Sequence, residues 1–161
     1  MKQCVKMMVN IQLYTDGSGT TADKPGGWCA ILVYGEYEKV ISGGSKSATN
    51  NEMEITAVFE GLKAIKRSNI IIEIYTDSET VIKWLCTDTA RKTTYARRMC
   101  NQIDYLACDM GWTLKPIWVK GHSGHEYNER CDKQAKAERA RMFEGLNASN
   151  ESARIAHQQT A

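Results

Sequence analysis

Ile70-Ile71-Ile72-Glu73-Ile74-Tyr75-Thr76-Asp77 is the stretch on which the fold turns. A near-continuous apolar run of this length predicts a strand covered on both faces, the mark of parallel pairing. Upstream of it, Ile55, Val58, Phe59, Leu62 and Ile65 recur at helical spacing, which predicts a helix opened by Ser47 or Thr49 and ended by Ser68-Asn69. A helix of that length serves as a right-handed crossover, so the apolar strand lies parallel to and beside the first strand of the chain. That first strand is read from Val9, Ile11, Leu13 and Thr15 alternating with polar partners, and it stops at Asp16-Gly17. Trp28 to Tyr34 and Tyr37 to Ser42 form a second and third strand around a two-residue Gly35-Glu36 hairpin loop. Downstream, Ser78 caps a short helix from Glu79 to about Leu85, and 87–94 reads as a polar loop. A long helix from Tyr95 to Met110 carries the stripe Met99, Ile103, Leu106 and Met110, and Gly111 closes it. Thr113 to Val119 is the last strand, 120–125 a loop, and a final helix starts near Tyr127 or Asn128. The order βββαβααβα predicts an α/β protein with helices on the faces of a mixed sheet.

Bulk properties narrow the function without naming it. The 161 residues make one domain, 42% hydrophobic and 25% charged, with only two prolines; that is enough chain to bury a core without staples. A net charge of +2 makes any basic footprint local. Six cysteines are scattered without a C-x-x-C pair, which argues for free thiols rather than zinc or a disulfide framework. No apolar run reaches the roughly 20 residues of a membrane span, and the start lacks a signal-peptide core. A monomeric, cytoplasmic, stand-alone chain is expected. The catalytic domain is expected over 1–142; from Glu144 on the periodicity fades, and 143–161 reads as a loosely held tail.

Four carboxylates carry the chemistry. They are Asp16 in Thr15-Asp16-Gly17-Ser18, Glu54 in Asn50-Asn51-Glu52-Met53-Glu54, Asp77 in Tyr75-Thr76-Asp77-Ser78, and Asp132 in Asn128-Glu129-Arg130-Cys131-Asp132. The parallel pairing puts Asp16 and Asp77 at the carboxyl ends of adjacent central strands, where open α/β sheets bind ligands. Glu54 comes from the start of the crossover helix, and Asp132 from the last helix with Asn128 one turn earlier. Together they carry a charge of about −4, a repulsion that bound hard divalent ions relieve. Paired ions of that kind suit in-line displacement at phosphorus.

Five blocks in this order resemble the type 1 ribonuclease H family: Thr-Asp-Gly-Ser at 15–18, Thr-Asn-Asn-x-Met-Glu at 49–54, Tyr-Thr-Asp-Ser at 75–78, Trp-Val-Lys-Gly-His-Ser-Gly-His at 118–125 and Asn-Glu-x-Cys-Asp at 128–132. The resemblance runs from about Met8 to Ala140. It implies a ribonuclease H-like fold, a five-stranded mixed sheet with three antiparallel strands plus two parallel. It implies endonucleolytic cleavage of the RNA strand of an RNA/DNA hybrid, leaving 5′-phosphate and 3′-hydroxyl ends. Asp16, Glu54, Asp77 and Asp132 are then the metal ligands for two Mg²⁺ ions, with Mn²⁺ as a substitute, and Asp16 is shared. His122 resembles the family's mobile-loop histidine that assists proton movement or product departure, while His125 takes a structural hydrogen-bonding role. Asn50 and Asn51 resemble residues that reach the minor groove, where donors and acceptors meet RNA 2′-hydroxyls, and Thr49 resembles a contact to a DNA phosphate.

The match departs in three places. Ala22 stands where relatives often carry a phosphate-holding asparagine, with Lys24 nearby, and Glu79 replaces a DNA-touching glutamine. Between Trp84 and Tyr95 a basic insertion is shortened. Arg91 and Lys92, with Arg97 and Arg98, are either a truncated substrate handle or a solvated face. Lys133, Lys136, Arg139 and Arg141 read as a solvated face, and Trp28 and Trp112 as packing. Other readings of the acids are a resolvase or exonuclease on the same fold, or a non-catalytic hybrid-binding module.

Overall fold

The computed structural model describes residues 9–159, with side-chain surroundings described through residue 151. The expectations for the N-terminal segment before Val9, Cys4 included, lie outside the described residues. Strands β1 (Asn10–Ser18), β2 (Gly26–Tyr34) and β3 (Tyr37–Ser45) precede helix α1 (Asn50–Lys63), strand β4 (Ile71–Thr76), helices α2 (Glu79–Cys86) and α3 (Thr94–Met110), strand β5 (Thr113–Trp118) and helix α4 (Glu126–Gln159). A single 3₁₀ turn, Asp88–Ala90, interrupts the polar loop between α2 and α3. The five-stranded sheet runs β3-β2-β1-β4-β5. β1, β2 and β3 pair antiparallel, whereas β4 joins β1 and β5 joins β4 in parallel. The α1 crossover therefore places β4 beside β1, as the apolar run of β4 predicts.

Strand alternation divides the core between two faces. Leu13, Ala30, Leu32, Ile72 and Ile74 point to the side covered by α1, α2 and α3, against Ile55, Val58, Leu62, Val81, Trp84, Met99 and Ile103. Tyr14, Cys29 and Ile31 point the other way, onto Cys131 and Ala135 of α4. Coverage of β4 differs from expectation. Ile72, Ile74 and Thr76 are fully buried, but Ile71, Glu73 and Tyr75 are only half-buried. The reason is that α4 packs on β1, β2 and β3, so the second face of β4 is closed mainly by Tyr75 stacking on Tyr14 at 4.6 Å.

Several boundaries also differ, β2 starting at Gly26 and β3 running on to Ser45 among them. α1 stops at Lys63, capped at Ala64, and not at Ser68-Asn69. Ile65 keeps its place in the core from the loop, while Asn69 turns the chain with φ +55° and donates its N–H to the Met110 carbonyl at 2.9 Å. β1 continues through Asp16 to Ser18 because its antiparallel partner β2 runs further than β4 does: Asp16 still pairs with Cys29, whereas the parallel ladder ends at Tyr14 and Tyr75. α4 continues to Gln159 where the fading apolar pattern predicts a loose tail. Past Glu144 the chain holds no proline, and extending an existing helix costs far less than nucleating one, so the segment stays helical without a core-facing stripe. Among the described residues no helix is long and apolar enough to cross a membrane.

Candidate active site

Asp16, Glu54 and Asp77 meet at the carboxyl ends of β1 and β4, and one carboxylate oxygen from each lies within 4.8 Å of the others. Each arrives by its own local logic. Asp16 sits just past the last β1–β4 pair, and the Gly17 N–H donates to its Oδ1 at 2.7 Å. Glu54 is delivered by the first turns of α1, whose start is fixed by a capping box. The Glu52 N–H donates to Thr49 Oγ1 at 3.3 Å and the Thr49 N–H to Glu52 Oε2 at 2.8 Å. Helix and strand come this close because position 17 lacks a side chain: a Cβ there would lie 2.3 Å from the Glu54 backbone nitrogen. Asp77 follows β4 directly. Trp118 Nε1 donates to its carbonyl at 3.0 Å, and Asn128 Nδ2 reaches its Oδ2 at 3.4 Å.

The fourth acid stands slightly apart. Asp132 lines the same open cavity of about 480 Å³, with His122, Asn50, Lys136 and Arg139, but it lies outside the close trio and pairs with Lys136 Nζ at 2.7 Å. Burial pushes the Asp16 carboxyl up to about 7, and the neighbouring Asp77 and Asp132 charges add to this. Burial, then Asp16 and Asp77, raise Glu54 well above the usual carboxylate range. So three acids crowd a site that water screens poorly. Glu54 Oε2 is buried and has no hydrogen-bond partner among the described residues. An all-oxygen donor set with an orphaned buried carboxylate oxygen fits a hard divalent cation, and nothing in it suits a soft metal.

The RNase H family model matches residues 8–140 of the chain. The chain belongs to the ribonuclease H family. A ribonuclease H of Helicobacter acinonychis is 40% identical over 135 residues, 81% of this chain and 94% of its own length. Among solved structures, RNase H1 from the halophilic archaeon Halobacterium salinarum superposes with a TM-score of 0.62 at 26% identity, covering 80% of this chain and 96% of its own. LC11-RNase H1, solved in complex with RNA/DNA hybrid, shares the fold with a TM-score of 0.69 at 18% identity, over 83% of this chain and 99% of its own.

Within this ribonuclease H the other sequence-predicted site residues fall in different places. His122 is exposed on the loop before α4 with φ +52° and lines the acid cavity. His125 packs its ring beside Tyr14, at 5.4 Å between centroids, and its carbonyl accepts the Glu129 N–H. Its Nδ1 has no partner among the described residues. Asn50 is committed to the site itself: its Oδ1 accepts the Gly19 N–H at 3.0 Å and its Nδ2 donates to Glu54 Oε1 at 3.2 Å. Thr49 spends its hydroxyl on the cap, donating to Glu52 Oε2 at 3.0 Å. Asn51 is exposed on the same turn.

Arg91 requires a correction. Its guanidinium is buried, donating through Nε to the Trp84 carbonyl at 2.8 Å and through Nη1 to Asp104 at 2.6 Å, with Asp88 at 3.0 Å. A cation so enclosed ties α2 to α3 and is not free to grip a phosphate; Lys92 beside it is exposed. Lys136 and Arg139, a solvated face by sequence, line the acid cavity, with Lys136 still largely exposed. The i,i+4 spacing of Asp132 and Lys136 on one helix was the available signal. Arg139, which reaches Ser18 Oγ at 3.3 Å, had none. The Trp118 and Asn128 bonds to Asp77 depend on tertiary neighbours and were equally silent.

Proposed function

We propose that the chain is an endoribonuclease that hydrolyses the RNA strand of RNA/DNA hybrids, leaving 5′-phosphate and 3′-hydroxyl ends. The convergence of Asp16, Glu54 and Asp77 within 4.8 Å, in a chain of the ribonuclease H family, carries this reading. The hybrid held by LC11-RNase H1 agrees with it. Two Mg²⁺ ions, replaceable by Mn²⁺, would supply activation of the attacking water and stabilisation of the leaving 3′ oxygen. Asp16, Glu54, Asp77 and Asp132 would hold them. Asn50 orients Glu54, and Asn128 and Trp118 orient Asp77. His122 moves a proton at its imidazole as the product strand departs. Asn51 reads the minor groove, Thr49 stands at the N-terminus of α1 where a DNA phosphate approaches, and Lys92 adds one exposed cation. The enzyme acts as a cytoplasmic monomer with residues 1–142 as its catalytic unit.

A labelled hybrid incubated with Mg²⁺ tests the reading directly, beside duplex DNA, duplex RNA and branched DNA. Hybrid RNA is cut and the other three survive. Asp77→Asn keeps the shape and removes a charge; turnover falls by at least about 10²-fold, the scale of losing an electrostatic contact to the reacting centre, with an unchanged circular-dichroism spectrum. Cleavage of branched DNA in place of hybrid would sink the proposal.

A further inference from the structure

A second open cavity, of about 670 Å³, adjoins the acid cavity and shares Ser18, Lys136 and Arg139 with it. The second cavity is a trough that adjoins the acid cavity along these three side chains. α4 forms one wall, and the segment between β1 and β2, through Lys24 and Pro25, forms the other. Three cations line it, Lys24, Lys136 and Arg139, against one acid, Glu144. Lys24 is largely exposed, and its nearest acid, Asp23, stands 4.0 Å away. At the end remote from the acids lies Phe143, 51% exposed on a helix whose packed residues, Cys131 and Ala135, face the sheet.

An exposed aromatic ring beside a row of cations is the arrangement that binds single-stranded nucleic acid: phosphates lie against the charges and an unpaired base stacks on the ring. Paired bases are already stacked on one another, so Phe143 can serve only a base outside the duplex. The trough adjoins the cavity where the cleaved phosphate sits, which favours the cleaved strand as its occupant. We propose that this trough binds single-stranded RNA continuing from the scissile strand beyond the end of the hybrid, with phosphates against Lys24 and Arg139 and a base on Phe143. The inference rests on the hybrid-cleaving reading of the acid cluster. It makes Phe143, one residue past the catalytic unit, a determinant of preference for hybrids with an RNA overhang.

The test uses the full chain and a fixed hybrid in three forms: blunt, with a single-stranded RNA overhang on either end of the RNA strand, and with overhangs of the same sequence on the DNA strand. Dissociation constants are read by fluorescence anisotropy in chelator, and kcat and KM with Mg²⁺. An RNA overhang at one end tightens wild-type binding about tenfold, the scale of stacking one base on an aromatic ring. Phe143→Ala abolishes that gain and leaves kcat and KM on the blunt hybrid unchanged; Phe143→Tyr retains it. Lys24→Gln lowers the salt slope by about one on the overhang substrate alone. Equal affinity for blunt and RNA-overhang hybrids, a gain that survives Phe143→Ala, or an equal gain from DNA overhangs overturns the proposal. If the wild type binds the RNA overhang through Phe143 yet cuts no hybrid, the trough stands and the cleavage reading falls.

Discussion

Arg91 and Lys92 are neighbours of the same charge in the same polar loop, yet one is enclosed and the other open to water. Burial makes the Arg91 guanidinium a structural tie whose desolvation is offset by three oxygen partners. Arg91→Ala should therefore cost about 2–3 kcal/mol, below the full penalty of breaking a buried pair because Asp104 and Asp88 remain solvated. Urea unfolding measures the loss. The salt slope of hybrid binding should not move, and a slope reduced by one would restore Arg91 as a phosphate contact. Asp132 illustrates the same point with opposite sign. Its carboxylate, expected at the site from the Asn-Glu-x-Cys-Asp block, lines the acid cavity, and its pairing with Lys136 places a cation on the wall of that cavity.

At the scale of elements, the junction of β1 with α1 governs the site. An opening of α1 at Ser47 or Thr49 was legible because capping signals are local, and the structure resolves it to Thr49 with a capping box to Glu52. The depth to which α1 seats on β1 was not, since it depends on two backbones meeting at Gly17. Gly17→Ala places a methyl group 2.3 Å from the Glu54 nitrogen, which forces α1 outward. A destabilisation of about 1–3 kcal/mol is expected, together with a drop in kcat of roughly 10²-fold, the scale on which small misplacements act. Thermal unfolding and steady-state cleavage check both, and an active, fully stable Gly17→Ala protein would refute this account of the junction. α4 marks the converse error, in which helix was under-read because apolar periodicity had ended while helix propagation had not.

Across the whole molecule, the acid cluster couples folding to pH and to divalent ions. Burial pushes the Asp16 carboxyl up to about 7 and raises Glu54 as well, whereas the same groups in the unfolded chain release their protons in the ordinary carboxylate range. Between those two ranges the folded state binds more protons, so stability falls as pH rises. The contribution is fully present below about pH 4 and is lost as pH passes about 7. In chelator, Tm should therefore drop by several degrees from pH 5 to pH 8, at roughly 2–4 °C per kcal/mol for a chain of this size. Added Mg²⁺ should raise Tm more at pH 8 than at pH 5, because ion binding replaces the protons. A chelated protein that grows more stable over this range would contradict the electrostatic picture of the site.

Strand and helix identities, the parallel placement of β4 and the four acids could all be read along the chain, because period, capping and turn chemistry are properties of neighbouring residues. The same holds for the family blocks, which are short and contiguous. The enclosure of Arg91, the half-open second face of β4, the bonds from Trp118 and Asn128 to Asp77, and the trough between α4 and the β1–β2 segment could not. Each depends on which surfaces distant segments present to one another after packing, and burial, desolvation and close approach exist only once those surfaces have met.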